Sequence, residues 1–205
     1  MIDKKGRIKL TDKQLLLGYD IDSYEPLIAD MGVVPHLFVC GLSKCGKSRM
    51  IEYAIQDKKT ILINVFQEDF KSIKTRRVNS KDKILMCLKD LIENPYYRQE
   101  PLYIVIDELL VLCMDKDVTK AIMDLLAIGR HYNIYIIGIS QIGTKESVKF
   151  KDLFNVRICF RQVDDSSYKT VLGYSPEIKD LMPRQFHLYS DKLAFGYTYD
   201  IRMDS

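Results

Sequence analysis

The chain has 205 residues, of which 47% are hydrophobic and 29% are charged, and its formal net charge is +3. This size and balance predict one globular domain with a sizeable core, and they exclude a strongly basic protein that coats nucleic acid by net charge alone. The sequence lacks the apolar run of a membrane span and the apolar core of a signal peptide, and its five cysteines are scattered singly. We therefore expect a cytoplasmic protein with reduced thiols, no zinc site and no direct membrane insertion.

The first 34 residues predict a lead-in of small strands. Short apolar runs at 7–10 and 15–20 precede a segment at 26–30 that begins with proline. Residues 35–205 form the main part of the chain, with no internal repeat and no low-complexity linker. We therefore predict a single globular domain overall, made of a lead-in at 1–34 and a main domain at 35–205.

Residues 35–50 contain the pattern G-x-x-x-x-G-K-S directly after an apolar run at 37–40. A buried strand, a glycine-bearing turn and a helix in this order are the context of a phosphate-binding loop. Its glycines let backbone N–H groups converge on a phosphate, while Lys47 can reach the β- and γ-phosphates and the Ser48 hydroxyl can ligate Mg²⁺. The pattern predicts ATP and Mg²⁺ as cofactors, with Ser48 as a metal ligand; a chance match in an ordinary strand-to-helix turn is the alternative. The predicted loop residues are Gly41, Leu42, Ser43, Lys44, Cys45, Gly46, Lys47, Ser48 and Arg49.

Strand and helix patterns alternate along the rest of the chain. Apolar runs at 59–66, 102–106, 134–140 and 156–160 are typical of buried parallel strands. Between them, apolar residues recur at helical spacing from about 81 to 93 and from about 118 to 132. A basic connector at 71–83 and a lysine-rich loop at 143–151 join these elements. The alternation predicts an α/β fold with a mostly parallel central sheet and helices on both faces.

Three polar residues follow the predicted strands. Asp107 and Glu108 come directly after the strand at 102–106, and Gln141 follows the strand at 134–140. Beside a phosphate-binding loop, Asp107 is expected to hold the Mg²⁺ shell and Glu108 to polarise the attacking water, while the amide of Gln141 can sense the γ-phosphate. The alternatives are an N-cap with an exposed acid for the pair, and a polar residue that closes a buried strand for Gln141.

Three separated blocks give the chain a resemblance to a known family. The segment LLLGYDIDSYEPLIADMGVVPHLFVCGLSKCGKSRM includes a proline–histidine pair before the strand. It is followed by AIGRHYNIYIIGISQ, and then by VRICFRQVDDSSYKTVLG with FHLYS after it. In this order the blocks resemble the FtsK/SpoIIIE-type DNA translocases and their HerA relatives, over nearly the whole chain from about residue 18 to 190.

The resemblance implies a RecA-like P-loop NTPase that works as a ring, in this family a hexamer, and pumps double-stranded DNA through its pore. It assigns catalysis to Glu108, Lys47, Gln141 and Arg130, the last reaching into the neighbouring subunit's site, and it adds Arg157 as a second nucleotide-binding arginine. The chain is similar to compact versions of these motors, which transfer plasmids or transposons or package viral genomes. A membrane channel, a relaxase or a capsid portal is the partner that such systems imply, and a viral motor works in the host cytosol.

Two basic groups are candidates for DNA binding. A motor must grip phosphates without reading bases, so lysines and arginines on loops that face the pore are expected to line the channel. Lys116 and Lys120 lie at the pore-loop position of the family, and the connector offers Lys74, Arg76 and Arg77. Two other functions stay open, namely a protein-secretion ATPase of the related type and a nucleotide-binding adaptor without motor activity.

Overall fold

The computed structural model describes residues 8–66, 68–141, 143 and 151–198. Within these residues one sheet of ten strands runs through the molecule, in the order β2-β1-β10-β9-β8-β3-β7-β6-β4-β5. The strands are β1 Gln14–Asp20, β2 Pro26–Asp30, β3 Leu37–Cys40, β4 Lys59–Ile63, β5 Arg76–Val78, β6 Leu102–Ile106, β7 Ile134–Ser140, β8 Val156–Cys159, β9 Gln185–Tyr189 and β10 Leu193–Tyr197.

Six neighbouring strands, from β5 to β8, are parallel, whereas β9, β10, β1 and β2 pair antiparallel. The parallel strands read as continuous apolar runs because the sheet is covered on both faces. The antiparallel part consists of two hairpins, one from each end of the described chain. The predicted α/β class with a mostly parallel sheet is confirmed.

The helices lie in the connections between strands, mostly between parallel ones. They are α1 Lys47–Ala54, α2 Lys81–Glu93, α3 Leu109–Leu112, α4 Lys116–Ile128 and α5 Asp165–Leu172, with 3₁₀ turns at Gly129–Tyr132 and Lys151–Leu153. The helix expected from about 118 begins two residues earlier because the Asp115 carboxylate caps it, accepting the N–H groups of Asp117 at 2.9 Å and Val118 at 3.0 Å. None of the helices in the described part of the chain has the length and apolarity that a membrane crossing requires.

Two apolar cores lie on opposite faces of the sheet. Successive residues of β3 belong to different cores. Leu37 packs with α1 residues such as Ile51 on one face. Phe38 packs with residues of α2, α4 and α5, for example Leu125, on the other face. Successive side chains of a strand point to opposite faces, so one short apolar strand serves both cores. The prediction of helices on both faces is confirmed.

The lead-in hairpin belongs to the same sheet as the rest of the chain. In β1, Tyr19 pairs with Tyr197 of β10, and Leu15 and Leu17 are buried in the core that also holds Leu37. The short strands expected at 15–20 and 26–30 are therefore present as β1 and β2, and they extend the sheet beyond the parallel strands.

Two local expectations were wrong. The strand predicted to reach residue 66 ends at Ile63, because Asn64 takes a left-handed conformation with φ of 58° and turns the chain. The basic connector is not all loop, since Arg76 to Val78 form the edge strand β5 against β4. The loop expected at 143–151 lies mostly outside the described residues.

Candidate nucleotide-binding site

The predicted site residues meet at the carboxyl edge of three adjacent parallel strands. Strand β3 lies between β8 and β7, and β6 follows β7. The loop that begins at Gly41 therefore lies next to Gln141, which follows β7, and to Asp107, which follows β6. Ligands bind at this edge in open α/β sheets. Residues that are separated by up to 100 positions in the sequence thus form one site.

The loop needs its glycines for two different reasons. A Cβ on Gly41 would lie 2.5 Å from the Cβ of Phe160, so a side chain there would force the loop away from β8. Gly46 has φ of 118°, a conformation that glycine adopts without strain. Gly46 also stands at the N-cap of α1 without a side-chain cap, and the N-terminal N–H groups of α1 therefore remain able to bind an anion.

Lys47 lies within the loop that it is expected to serve. Its side chain is buried, and its Nζ donates to the carbonyl oxygens of Gly41 at 2.6 Å and Leu42 at 2.8 Å. The carbonyl oxygens of the loop thus replace water as hydrogen-bond partners of the ammonium group, whose charge they do not cancel. A phosphate bound in the loop supplies a stronger partner, because hydrogen bonds between charged groups are roughly twice as strong as neutral ones.

Asp107 carries a charge that its surroundings do not balance. The residue is 6% exposed, and its burial, together with the charges of Glu108 and Asp69, raises the pKa of the carboxyl group to about 6. The N–H of Glu108, which donates to Oδ1 at 2.9 Å, and the charge of Lys47 act against this shift. A bound cation would stabilise the ionised carboxylate.

This carboxylate fits Mg²⁺. The Ser48 hydroxyl at the start of α1 and the Asp107 carboxylate are both oxygen ligands of the kind that Mg²⁺ prefers. No cluster of three or more metal-ligating His, Cys, Asp or Glu side chains exists among the described residues. The site therefore suits an ion that takes one or two ligands from the protein and others from the phosphates of a nucleotide.

Glu108 and Gln141 are joined by a hydrogen bond. The Gln141 Nε2 donates to the Oε1 of Glu108, and the Gln141 Oε1 accepts from the Ser43 hydroxyl at 3.0 Å. Glu108 has φ of 48°, a left-handed conformation that is rare outside glycine. The expected catalytic carboxylate and sensor amide are therefore in direct contact, and the phosphate-binding loop contacts the amide through Ser43.

A second loop, which the sequence prediction missed, forms a wall of the site. A cavity of about 320 Å³ opens between the start of α1 and residues 68–71. Glu52 of α1 ties this loop down by accepting the N–H of Ser72 at 2.9 Å and its hydroxyl at 2.6 Å. Glu52 also lies 3.6 Å from the guanidinium of Arg49, the last predicted loop residue, which is exposed.

Arg77 is the second anchor of this wall. Its guanidinium donates to the carbonyl oxygens of Phe66 at 3.1 Å, Asp69 at 2.9 Å and Phe70 at 2.8 Å. These three bonds use the two terminal nitrogens of the guanidinium, and its Nε–H takes part in none of them. The side chain stabilises the loop, and a sequence pattern contains no signal of this contact. Its DNA contact stays a prediction.

Arg184 is a further residue that the sequence did not reveal. Its N–H donates to the carbonyl of Cys45 in the phosphate-binding loop at 2.8 Å, and a Cβ on Gly46 would lie 3.4 Å from its Cα. Arg184 has φ of 74°. Non-glycine residues with positive φ also occur at Lys44, Asn64 and Phe70 around this site. Backbone strain of this kind collects at functional sites.

Arg130 lies at the opposite edge of the sheet from its own phosphate-binding loop. It stands exposed in the 3₁₀ turn Gly129–Tyr132, directly before β7, whereas Gln141 follows the end of β7. Seven strand residues separate the two by roughly 20 Å. The Arg130 side chain cannot span that distance, so it is not part of the nucleotide site of its own chain.

Arg157 makes its contacts within its own chain, away from the phosphate-binding loop, and its expected nucleotide contact stays a prediction. The residue lies on β8, and its guanidinium donates to the carbonyls of Phe154 at 3.2 Å and Val171 at 3.3 Å. It also stacks on the ring of Tyr189 at 4.6 Å and lies 3.6 Å from the Asp152 carboxylate. The side chain is only 11% exposed, so its donors serve the packing of α5 and β9 on β8.

The remaining candidates for DNA binding are exposed but differ from the expected loops. Lys116 and Lys120 lie on the first turns of α4, so the expectation that they occupy a loop was wrong. Asp115 and Asp117 share the same helix end, which therefore carries mixed charge. Lys74 is exposed just before the edge strand β5, and Arg76 is exposed as the first residue of that strand; the side chains at 145, 149 and 151 lie outside the described residues.

The sequence matches no protein-family model and no curated protein. Solved structures do match the fold. The pCW3 conjugation coupling protein TcpA, in its monomer form with ATPγS, superposes with a TM-score of 0.79 and 16% identity, covering 96% of this chain and 68% of that one. The genome packaging NTPase B204 of Sulfolobus turreted icosahedral virus 2, in complex with AMPPCP, has a TM-score of 0.61 and 14% identity, covering 81% of this chain and 98% of that one.

The third comparison is with the cytoplasmic domain of the Type VII Secretion ATPase EccC of Thermomonospora curvata. It has a TM-score of 0.71 and 14% identity, and it covers 92% of this chain. This chain spans only 26% of the length of that protein. All three neighbours are ATPases or NTPases or were solved with a nucleotide analogue, and at these identities the likeness establishes the fold. The chain therefore has the fold of the FtsK/SpoIIIE-type P-loop ATPases that its sequence resembles.

Proposed function

We propose that this protein is an ATP-hydrolysing motor that moves double-stranded DNA through an oligomeric ring, in the transfer or packaging of a mobile element or viral genome. One observation carries the proposal. Three adjacent parallel strands bring Lys47 and Ser48, the Asp107–Glu108 pair and Gln141 to one edge of the sheet. Phosphate binding, metal binding, a base and a polar sensor are the parts that phosphoryl transfer to water requires.

Each side chain has a distinct task in hydrolysis. Lys47 and the N-terminus of α1 bind the phosphates, and Ser48 and Asp107 provide oxygen ligands for Mg²⁺. The ion, when bound, neutralises charge on the phosphate oxygens. Glu108 accepts the proton of the attacking water, and the Gln141 amide holds the Glu108 carboxylate through their hydrogen bond. The hydrogen bond between Gln141 and Glu108 supports hydrolysis over the alternative function of a nucleotide-binding adaptor without motor activity.

Arg130 is proposed to complete the site of a neighbouring subunit. The Arg130 side chain is exposed, and hydrogen bonds hold the end of the turn that carries it. The next residue after that turn, Asn133, donates through Nδ2 to the carbonyl of Arg98 at 2.9 Å, and its Oδ1 accepts from the hydroxyl of Tyr135 at 3.1 Å. An arginine on a rigid support and far from its own phosphates is suited to act in trans, and a closed ring, such as a hexamer, gives every subunit such a neighbour.

Double-stranded DNA is the proposed substrate, and a polypeptide is the second candidate. Two of the three reported neighbours, a conjugation coupling protein and a genome packaging NTPase, support DNA, and the third, a secretion ATPase, supports a polypeptide. The exposed Lys116 and Lys120 on α4 are the proposed DNA contacts, with Lys74 and Arg76 second. We place the motor in the cytoplasm, where it would meet a membrane channel, a relaxase or a capsid portal.

ATP hydrolysis by the purified chain, with and without double-stranded DNA, tests this proposal. We expect Mg²⁺-dependent turnover that DNA stimulates and that Lys47→Ala abolishes. Turnover without stimulation by DNA of any length, together with stimulation by a secreted polypeptide, would favour the second candidate. No turnover and no ATP binding would contradict both.

The DNA contacts are tested with the double variant Lys116→Ala/Lys120→Ala. DNA stimulation should fall while basal hydrolysis persists, and the slope of log affinity against log salt should flatten by about one to two units, because each lost phosphate contact removes roughly one unit. The double variant Lys59→Ala/Lys192→Ala removes the same charge at exposed positions elsewhere and serves as the control. Unchanged affinity in the first variant would shift the DNA track to Lys74 and Arg76.

A further inference from the structure

The hydroxyl of Ser43 links the phosphate-binding loop to the proposed general base. Ser43 is exposed in the loop between Gly41 and Lys47, and its Oγ lies 3.0 Å from the Gln141 Oε1. On its other side, the Gln141 amide nitrogen contacts the Oε1 of Glu108. The three side chains form a chain of hydrogen bonds across 98 positions of sequence.

The direction of these hydrogen bonds is fixed by chemistry. An ionised carboxylate only accepts, so the NH₂ group of Gln141 must face Glu108. The amide oxygen then faces Ser43, and because that oxygen also only accepts, the Ser43 hydroxyl must be the donor. Only one arrangement of the amide satisfies both neighbours. Without a donor at Ser43, the amide is held on one side alone.

We propose that Ser43 is a positioning residue for Glu108 and acts through Gln141. The Ser43 hydroxyl holds the amide so that its NH₂ group faces the carboxylate. An amide released from this contact can rotate by half a turn, which sets its oxygen against Glu108, and two acceptors repel each other. Glu108 then loses the contact that fixes its carboxylate. The loop that binds the phosphates thereby also sets the position of the base.

The proposal rests on the ATPase function proposed above and concerns the chemical step rather than nucleotide binding. Phosphate binding uses Lys47, the loop backbone and the N-terminus of α1, and none of these depends on the Ser43 hydroxyl. Loss of the hydroxyl should therefore lower kcat and leave the KM for ATP nearly unchanged. A displaced catalytic group typically costs between tenfold and a hundredfold in rate, and we expect about tenfold here.

The test compares Ser43→Ala with Ser43→Thr. The alanine variant should lose about tenfold in kcat at unchanged KM, and the threonine variant, which keeps a hydroxyl, should recover most of the rate. Ser23→Ala is a matched control, because the Ser23 hydroxyl is also exposed and donates at 3.0 Å, to Asp20 in the remote turn between β1 and β2. It should behave as the wild type.

A double-mutant cycle separates positioning from a merely structural role. If Ser43 acts through Gln141, then Ser43→Ala should have no further effect on kcat in a Gln141→Ala background. Equal losses from Ser43→Ala in both backgrounds would overturn the proposal, as would a full rate in Ser43→Ala. A tenfold loss in Ser43→Thr as well would also contradict it.

The same data distinguish a failure of this proposal from a failure of the proposed function. A wild-type protein that binds ATP but does not turn it over would contradict the ATPase function and the role of Ser43 together. A wild type that hydrolyses ATP, with a Ser43→Ala variant of equal kcat, would leave the ATPase function intact and overturn only the role of Ser43.

Discussion

The two edges of the parallel sheet differ in how they hold polar groups. At the carboxyl edge, Asp107 is buried with its pKa raised to about 6, because burial and neighbouring acids disfavour its charge. At the amino edge, His36 is buried before β3 and accepts the N–H of Ile136 at its Nδ1 at 3.0 Å. Burial and the charge of Arg130 lower its pKa to about 4, so this imidazole is neutral at pH 7.

This difference separates a binding edge from a supporting edge. The carboxyl edge keeps an uncompensated charge and strained backbone, which a bound metal and nucleotide can relieve. At the amino edge, the neutral imidazole of His36 accepts the N–H of Ile136. Gly129 allows the turn that carries Arg130 to pack closely, since a Cβ there would lie 3.0 Å from the carbonyl of Ile134 and 3.6 Å from the ring of His36. Under the proposed function, the carboxyl edge binds the nucleotide and the amino edge presents Arg130 to a neighbouring subunit.

The largest expected effect comes from the amino edge. Arg130→Ala should lower turnover by about 10³-fold, which is typical of an arginine supplied by a neighbouring subunit, while ATP binding is retained. Mixing Arg130→Ala with Lys47→Ala subunits should restore part of the activity, because a site formed between the two can contain both an intact loop and an intact arginine. Mixtures that never exceed the sum of the separate variants, at any ratio, would remove the shared-site model.

The next effect belongs to the carboxyl edge. Glu108→Gln keeps the size of the side chain but removes the base, so hydrolysis should fall by about 10²-fold or more while ATP still binds. Lys47→Ala should instead lose binding and turnover together, because it removes a phosphate contact. Binding measured by titration calorimetry and turnover measured on the same preparations separate the two. Turnover of Glu108→Gln within twofold of the wild type would exclude Glu108 as the base.

At the amino edge, His36 should make the fold sensitive to acid. The pKa of His36 is lowered from 6.5 to about 4 in the folded state. The free energy of unfolding therefore keeps its full value above pH 6.5. It falls as the pH drops from 6.5 towards 4, because the unfolded state then binds the proton more readily. The loss corresponds to about 3 kcal/mol. His36→Asn keeps an acceptor for the N–H of Ile136 and cannot titrate, so its Tm should vary less over this range. An equal pH slope in both proteins would assign the acid sensitivity to other groups.

Asp107 should have the opposite pH dependence, with a slightly smaller effect. The pKa of Asp107 is raised from 3.8 to about 6 in the folded state. Its contribution to the free energy of unfolding is therefore complete below pH 3.8 and is lost as the pH rises through 6, because the unfolded state releases the proton first. Asp107→Asn removes the charge, and at pH 8 it should raise the free energy of unfolding by about 3 kcal/mol in the absence of metal. The gain should vanish near pH 4, and Mg²⁺-dependent ATP binding should weaken. An unchanged Tm at pH 8 would show that the carboxylate is better compensated than its burial indicates.

The sequence by itself determined the parts of the site that are local. The phosphate-binding loop from Gly41 to Ser48 is one continuous segment, and glycine conformation, a lysine and a helix start fix its shape within a few residues. The parallel strands are also local features, because each is a short apolar run that is buried and that ends at a polar residue. Since parallel strands end at a common edge, this alone placed Asp107, Glu108 and Gln141 together.

Only the tertiary structure decided what the charged side chains bind. Four basic residues look alike in the sequence. The guanidinium groups of Arg77 and Arg157 donate to backbone carbonyls, whereas Lys116 and Lys120 are exposed on a helix. The Ser43 hydroxyl meets Gln141 across 98 positions, and Arg184 reaches the phosphate-binding loop from the far end of the chain. Such contacts depend on how distant segments pack, and no periodicity or motif within a segment records them.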